Sequence, residues 1–193
     1  MSYEFYALLG RMRSITRWGL MRNSYPENIQ EHSHQVAVLA HALALIRRDI
    51  LHLPAPDPDR CAVAALYHDA TEILTGDLPT PVKYYNSDIK KAYKQVEHVA
   101  GERLLSMLPE VLRPSYEPYI QESDETLEPI VKAADKLSAH IKCLEEQKAG
   151  NREFDSAAAQ TYEAMRAMNR PELDWFLENC LPAYARTLDE LGL

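Results

Sequence analysis

Two adjacent residues, His68 and Asp69, combine side-chain types that can chelate a cation. Imidazole and carboxylate both bind metal at neutral pH when rigid elements hold them together. The pair emerges from the apolar run CAVAAL at 61–66, where ionisable groups must be paired or metal-bound to offset their desolvation. Glu72 follows His68 by one helical turn and is expected on the same face. Two more residues suit the same chemistry: His32 in ENIQEHSHQVAVLAHAL, and Asp135 in PIVKAADKLSAHIK, flanked by Ala133, Ala134 and Leu137. An Asp on the apolar side of a helix is seldom left without a cationic partner. Singly, each has a plain structural reading: Asp135 as a salt-bridge or cap residue, His32 as a helix-start histidine, His-Asp as a chance dipeptide. The signal lies in their order, His32, then His68-Asp69, then Asp135, each group on its own predicted helix.

The elements that must position them are helical. The first is predicted over about 3–14, with Phe5, Leu8, Leu9 and Met12 spaced for one face. An irregular stretch, RWGLMRNSYPENIQ, precedes a long helix from about Glu31 to Ile50, striped by Val36, Leu39, Ala40, Leu43 and Ile46. Asp57 is placed to cap the next helix and Pro58 suits its first position. That helix is predicted to run unbroken through CAVAALYHDATEIL to Gly76. The turn DLPTP at 77–81 cannot be helical throughout, because each proline biases its predecessor away from the α region. Helices over about Ser87–Leu108 and Thr126–Lys148 follow, the second ended by Gly150, with shorter helices broken at Pro171 and Pro182. No stretch alternates with period two, so the class is all-α.

Composition narrows the function. The chain has 193 residues, which fits one domain with a real core. Its 46% hydrophobic and 26% charged residues are those of a water-soluble protein. No apolar run approaches the roughly 20 residues of a membrane span, and MSYEFYALLGRMRS lacks the pattern of a signal peptide, so a cytoplasmic protein is expected. The three cysteines, Cys61, Cys143 and Cys180, are odd in number and scattered, and are read as core thiols. A net charge of -8 argues against a long nucleic-acid partner but allows a small phosphate ligand beside a bound cation and an arginine.

The ordered residues resemble the HD-domain superfamily of metal-dependent phosphohydrolases, whose ligands run H…HD…D, and most closely the bacterial 5′-deoxynucleotidases of the YfbR type. RWGLMRN at 17–23, ENIQEHSHQVAVLAHAL at 27–43, YHDATEILTGDLPTPVKYYN at 67–86, KAADKL at 132–137 and IKCLEE at 141–146 carry the resemblance in the family's order. The last 40 residues match only loosely. The resemblance implies a single-domain HD-type helical bundle over 1–193, with a metal-site core at about 28–150 and C-terminal helices at about 152–193. It implies a metal site between the central helices, formed by His32, His68, Asp69 and Asp135 and holding one divalent ion, cobalt or manganese. Only His98 lies between the HD pair and Asp135, too few histidines for a second ion.

The implied substrate is a deoxyribonucleoside 5′-monophosphate. Glu72 is then the candidate for orienting or deprotonating the attacking water. Arg17 matches the position that orients the phosphate, Asp69 faces substrate as well as metal, and Trp18, Asp77, Leu78, Pro79 and Thr80 match positions that contact the nucleoside. A homodimer is also implied. Two alternatives stand beside this. One is an HD hydrolase of nucleoside triphosphates or guanosine tetraphosphate, although alarmone hydrolases carry an acidic residue where this chain has Ile73. The other is a non-catalytic nucleotide-binding helical module, against which intact Glu72 and Arg17 count.

Overall fold

The computed structural model describes residues 2–83, 85–121 and 124–192. Among these there is no strand, only one isolated antiparallel bridge between Thr16 and Asn28, and the fold is all-α. The helices are α1 (Phe5–Leu9), α2 (Ile29–Leu45), α3 (Pro58–Tyr67), α4 (Glu72–Thr75), α5 (Thr80–Lys83), α6 (Ser87–Ser106), α7 (Arg113–Ile120), α8 (Glu128–Lys148), α9 (Asp155–Ala167) and α10 (Pro171–Asn179).

Three helices make the centre. α2 starts earlier than its apolar stripe suggests, because the Asn28 side chain accepts from the backbone N–H groups of Gln30 and Glu31 in a reciprocal capping box with Glu31. His32 therefore sits one turn inside the helix. α3 starts as expected, with Asp57 capping Asp59 and Arg60 and Pro58 in the first turn. Val36, Leu39, Ala40 and Leu43 of α2 pack with Cys61 and Ala65 of α3 and with Ile130, Ala134, Leu137 and Ile141 of α8. Alanines at Ala40, Ala65, Ala133 and Ala134, all fully buried, leave room for the backbones to approach closely. Each buried Leu or Ile in this cluster contributes on the order of 1.5–3 kcal/mol relative to exposure. Met165 of α9 and Leu173 and Phe176 of α10 complete the same cluster, so the C-terminal helices share the central core. Cys61 and Cys143 are buried and free, and burial pushes both thiols up to about 11, as expected of core thiols.

Three elements differ from expectation. The predicted continuous helix to Gly76 breaks after Tyr67. The His68 ring donates from Nδ1 to the Ala65 carbonyl at 2.7 Å, taking the acceptor that the next helical N–H would use. His68–Thr71 become tight turns, with Ala70 N–H bonded to Tyr67 O and Glu72 N–H to Asp69 O, both at 3.0 Å. Ala70 pins this turn from behind, buried with Phe5, Leu104, Leu105 and Leu108. The predicted first helix is α1 followed by a tighter 3₁₀ stretch at Gly10–Ser14, since glycine weakens an α-helix interior. Finally α7 is a helix where none was expected. Pro114 occupies its first turn, where no N–H is missed, and the helix tolerates Pro118 inside it. No helix among the described residues is long and apolar enough to cross a membrane.

Candidate active site

The break after Tyr67 brings two side chains of the turn to face α2 and α8. His32 Nε2 lies 3.0 Å from Asp135 Oδ1 and 3.6 Å from Asp69 Oδ2, and His68 Nε2 lies 3.1 Å from Asp69 Oδ2. The candidate ligand atoms of His32, His68 and Asp135 all fall within 4.8 Å of one another.

The far side of each ring decides what the near side offers. The Ser138 hydroxyl gives its proton to Gln35 Oε1 at 2.7 Å, so at 3.1 Å it accepts from His32 Nδ1–H. His68 Nδ1 meets a carbonyl, which only accepts. Nδ1 thus keeps its proton in both imidazoles and both Nε2 atoms are turned towards carboxylate oxygens, an arrangement that draws a proton or another cation to the Nε2 side. His68 Nε2 is buried and has no hydrogen-bond partner. Two nitrogens and two carboxylates, with an orphaned buried nitrogen among them, fit a borderline divalent cation.

The titration of the cation-free cluster shows the same deficit. Burial opposes a charge on His68, but the Asp69 carboxylate outweighs it and raises the ring to about 9. Burial would raise Asp69, yet His68, His32 and Arg17 hold it at about 2. Asp135 is likewise held well below the usual carboxylate range against its burial, chiefly by the hydrogen bond to His32. Glu72 moves the opposite way. Burial, then the charges of Asp69 and Asp77, push it up to about 9, and its Oε2 is buried without a hydrogen-bond partner.

Arg17 enters on a short extended segment. Its N–H donates to the Glu27 carbonyl at 2.9 Å beside the Thr16–Asn28 bridge, its Nε donates to Glu27 Oε2 at 3.0 Å, and its Nη1 reaches Asp69 Oδ2 at 3.4 Å. Burial weighs against its charge, but Asp69, Asp135, Glu27 and Asp77 together raise its pKa above the ordinary arginine value. Asp77 lies within electrostatic reach of Arg17 and Asp69, its own pKa raised by burial. Leu78 and Pro79 are half-buried in the irregular stretch between α4 and α5, while the side chain of Thr80 lies outside those described. The Trp18 indole turns to Glu27 Oε2 at 3.0 Å and tilts on Phe154 with centroids 5.3 Å apart. Three of the remaining five histidines have partners elsewhere, His140 with Thr161, His98 with Gln121 and His41 with Asp59, and His34 and His52 are exposed.

Sequence reasoning missed Ser138, Gln35 and Glu27. Ser138 and Gln35 stand one turn beyond Asp135 and His32 on facing helices, a spacing that marks both as neighbours of those residues.

The family described as 5′-deoxynucleotidase YfbR-like matches residues 4–184. A 5′-deoxynucleotidase of Erwinia tasmaniensis is 49% identical over 98% of this chain and 96% of its own length. The chain belongs to the YfbR-like 5′-deoxynucleotidase family. Another relative, a 5′-deoxynucleotidase of Vibrio vulnificus, is 48% identical over 98% of both chains. In three dimensions this family member is similar to an HD-domain phosphohydrolase from Listeria innocua, with a TM-score of 0.81 at 20% identity over 98% of this chain and 92% of that one. It also shares its fold with the HD phosphohydrolase DatZ of cyanophage S-2L, solved with dA and one catalytic Zn²⁺, with a TM-score of 0.63 at 24% identity over 91% of this chain and 95% of that one.

Proposed function

We propose that the chain hydrolyses 2′-deoxyribonucleoside 5′-monophosphates to the deoxynucleoside and inorganic phosphate. The observation that carries this is the pair of tautomer-locked imidazoles, His32 and His68, facing Asp69 and Asp135 beside the guanidinium of Arg17. The names of relatives nearly half identical over the whole chain supply the substrate class.

In this reading His32, His68, Asp69 and Asp135 hold one divalent ion. Such an ion supplies Lewis-acid polarisation of the phosphate and acidifies water. The chain's own groups do the rest. Arg17 presents its remaining N–H donors to the phosphate, a planar fork suited to bidentate contact. Glu72 orients the attacking water with its unpartnered Oε2 and takes its proton. The water oxygen bonds to phosphorus, the bond from phosphorus to O5′ breaks, and a proton returns to O5′. Asp69 adds a substrate contact, Asp77 accepts from the 3′-OH, and Trp18 with Leu78, Pro79 and Thr80 bounds the nucleoside.

We also infer a single domain over 1–193 with its metal-site core at about 28–150, because α9 and α10 bury into the central cluster. Cobalt or manganese is the proposed ion, as the family resemblance implies, and the mixed nitrogen–oxygen donor set suits a borderline divalent cation. A homodimer in the cytoplasm is the proposed setting, and the net charge of -8 favours a small nucleotide over a nucleic-acid polymer.

The test is phosphate release from a panel of deoxynucleoside and ribonucleoside monophosphates, triphosphates and guanosine tetraphosphate, with and without added divalent ions. Release confined to monophosphates, fastest for deoxy forms and dependent on an ion, is expected. Preference for triphosphates or the tetraphosphate, or no release at all, overturns the proposal.

A further inference from the structure

One carboxylate oxygen serves two neighbours in the chain. Glu27 Oε2 accepts from Arg17 Nε and from Trp18 Nε1, both at 3.0 Å. In an extended segment successive side chains point to opposite faces, so adjacent residues should not meet on one atom. They meet here because Trp18 is one of the few non-glycine residues with positive φ, at 58°, which swings its indole back to the side of Arg17. Such a conformation persists where the surroundings over-determine it, and it gathers at functional sites. The surroundings are explicit. The indole packs on Phe154, the Arg17 and Glu27 backbones are bonded at 2.9 Å, and both Arg17 and Glu27 side chains are 12% exposed.

Glu27 is itself anchored. Two residues before it, the loop plugs into α8: Glu146, fully buried, accepts from Ser24 N–H at 2.8 Å and Tyr25 N–H at 3.1 Å, and Asn151 adds a bond at 2.8 Å. Lys142 pairs with Glu146 and also donates to the Tyr25 carbonyl. The oxygen that Arg17 and Trp18 share is therefore fixed to the same helix that carries Asp135.

We propose that Glu27 is a positioning residue that couples the phosphate grip of Arg17 to the wall that the Trp18 indole would set where a ribose 2′-OH would sit. By binding the Nε edge of Arg17 it aims the guanidinium's other donors at the cluster, and by binding Trp18 it sets where the indole stands. It touches no substrate. This rests on the proposed roles of Arg17 and Trp18 in deoxynucleotide hydrolysis.

Glu27→Ala removes the shared acceptor, whereas Glu27→Gln keeps a carbonyl oxygen that can accept from both donors. Glu27→Asp keeps the charge but withdraws it by one methylene. Loss of a buried charged hydrogen bond should raise KM for dAMP in Glu27→Ala about ten- to a hundredfold. The dAMP/AMP ratio of kcat/KM should shrink with it, while the bound-ion content stays at the wild-type level. Glu27→Gln should rescue most of both effects and Glu27→Asp should not. A second readout does not depend on the substrate. In a Trp175→Phe background Trp18 is the sole tryptophan of the two, and its emission should shift to the red in Glu27→Ala and Glu27→Asp but not in Glu27→Gln.

Wild-type KM and discrimination in Glu27→Ala overturn the proposal, as does equal behaviour of the Gln and Asp variants should Glu27→Ala not fold. If the wild type hydrolyses no deoxynucleotide, the functional reading fails, while the emission of Trp18 still decides whether Glu27 holds the indole.

Discussion

Asp135 and Ser138 stand one turn apart on α8 and hold opposite nitrogens of the same imidazole, with Asp135 Oδ1 3.0 Å from His32 Nε2 and Ser138 Oγ 3.1 Å from Nδ1. One helix thus supplies both a candidate ligand and the group that sets the tautomer of another. Removing the hydroxyl leaves Nδ1–H buried without an acceptor and lets the ring turn over. Ser138→Ala should weaken divalent-ion binding about 10- to 100-fold, the usual cost of losing such an outer partner. Calorimetric titration of the apoprotein with cobalt or manganese measures it. Wild-type affinity in the variant would show that the His32 tautomer does not depend on Ser138.

The start of α3 was legible because Asp57 and Pro58 act locally, and the centre of the bundle because the α2 stripe repeats at helical spacing. The break after Tyr67 was not legible. It depends on which way the His68 ring folds back, and a run as apolar as CAVAAL reads equally well as continuing helix. The four candidate ligands were found from their order along the chain, yet the lock on each ring was hidden. Ser138 is small and lies in an apolar stripe, so periodicity counts it as core. Glu27 sits in the irregular stretch before α2, and its importance comes from the positive φ of Trp18, which no spacing rule reveals. Trp18 was expected to contact the nucleoside, with no partner of its own in the protein. Its contact to Phe154 is long-range, and its bond to Glu27 depends on how the loop between them folds back.

Asp135 is the member of the cluster furthest from the others in sequence, and it distinguishes a metal site from a local ion pair at His68-Asp69. Asp135→Ala and Asp69→Ala should each lose both bound ion and turnover, with about one ion per chain in the wild type. Elemental analysis beside the phosphate-release assay measures both. Full ion content and full turnover in Asp135→Ala would remove it from the site.

Glu72 bears on catalysis and on stability in opposite senses. As the group that takes the proton from water, its replacement in Glu72→Gln should lower kcat by about 10²-fold or more while bound ion stays unchanged. In the ion-free protein the wild-type carboxyl is raised from 4.5 to about 9, by burial first and then by Asp69 and Asp77. A raised acid gives its full stabilisation below 4.5 and loses it as pH climbs through about 9. The amide does not titrate. Relative to wild type, ion-free Glu72→Gln should therefore gain stability steadily from pH 5 to pH 9, read as a rising difference in Tm. A flat difference would mean that Glu72 is charged in the ion-free protein.

Glu146 provides the contrary pH dependence, remote from the cluster. Burial alone would raise its carboxyl, but hydrogen bonds from Lys142, Ser24 N–H, Asn151 and Tyr25 N–H outweigh it and bring it from 4.5 to about 2. A depressed acid stabilises the fold fully above 4.5, and that contribution drains away as pH falls towards 2. A shift of this size corresponds to about 3 kcal/mol. Glu146→Gln cannot carry the charge, and it leaves the Lys142 ammonium buried beside an amide. At pH 7 the variant should be less stable than wild type by a few kcal/mol, within the range for breaking a buried ion pair. Below pH 4.5 the gap should narrow, because the unfolded chain's carboxylate takes up a proton that the folded protein refuses until about pH 2. Urea unfolding of both proteins at intervals from pH 7 to pH 3 measures the gap directly. The loop that Glu146 grips carries Arg17 and Trp18 at one end and Glu27 at the other, so the variant should also lose turnover at pH 7 in the molecules that remain folded. A gap that does not change with pH would show that Glu146 acts through shape alone, and that the charge on this anchor contributes nothing to holding the loop.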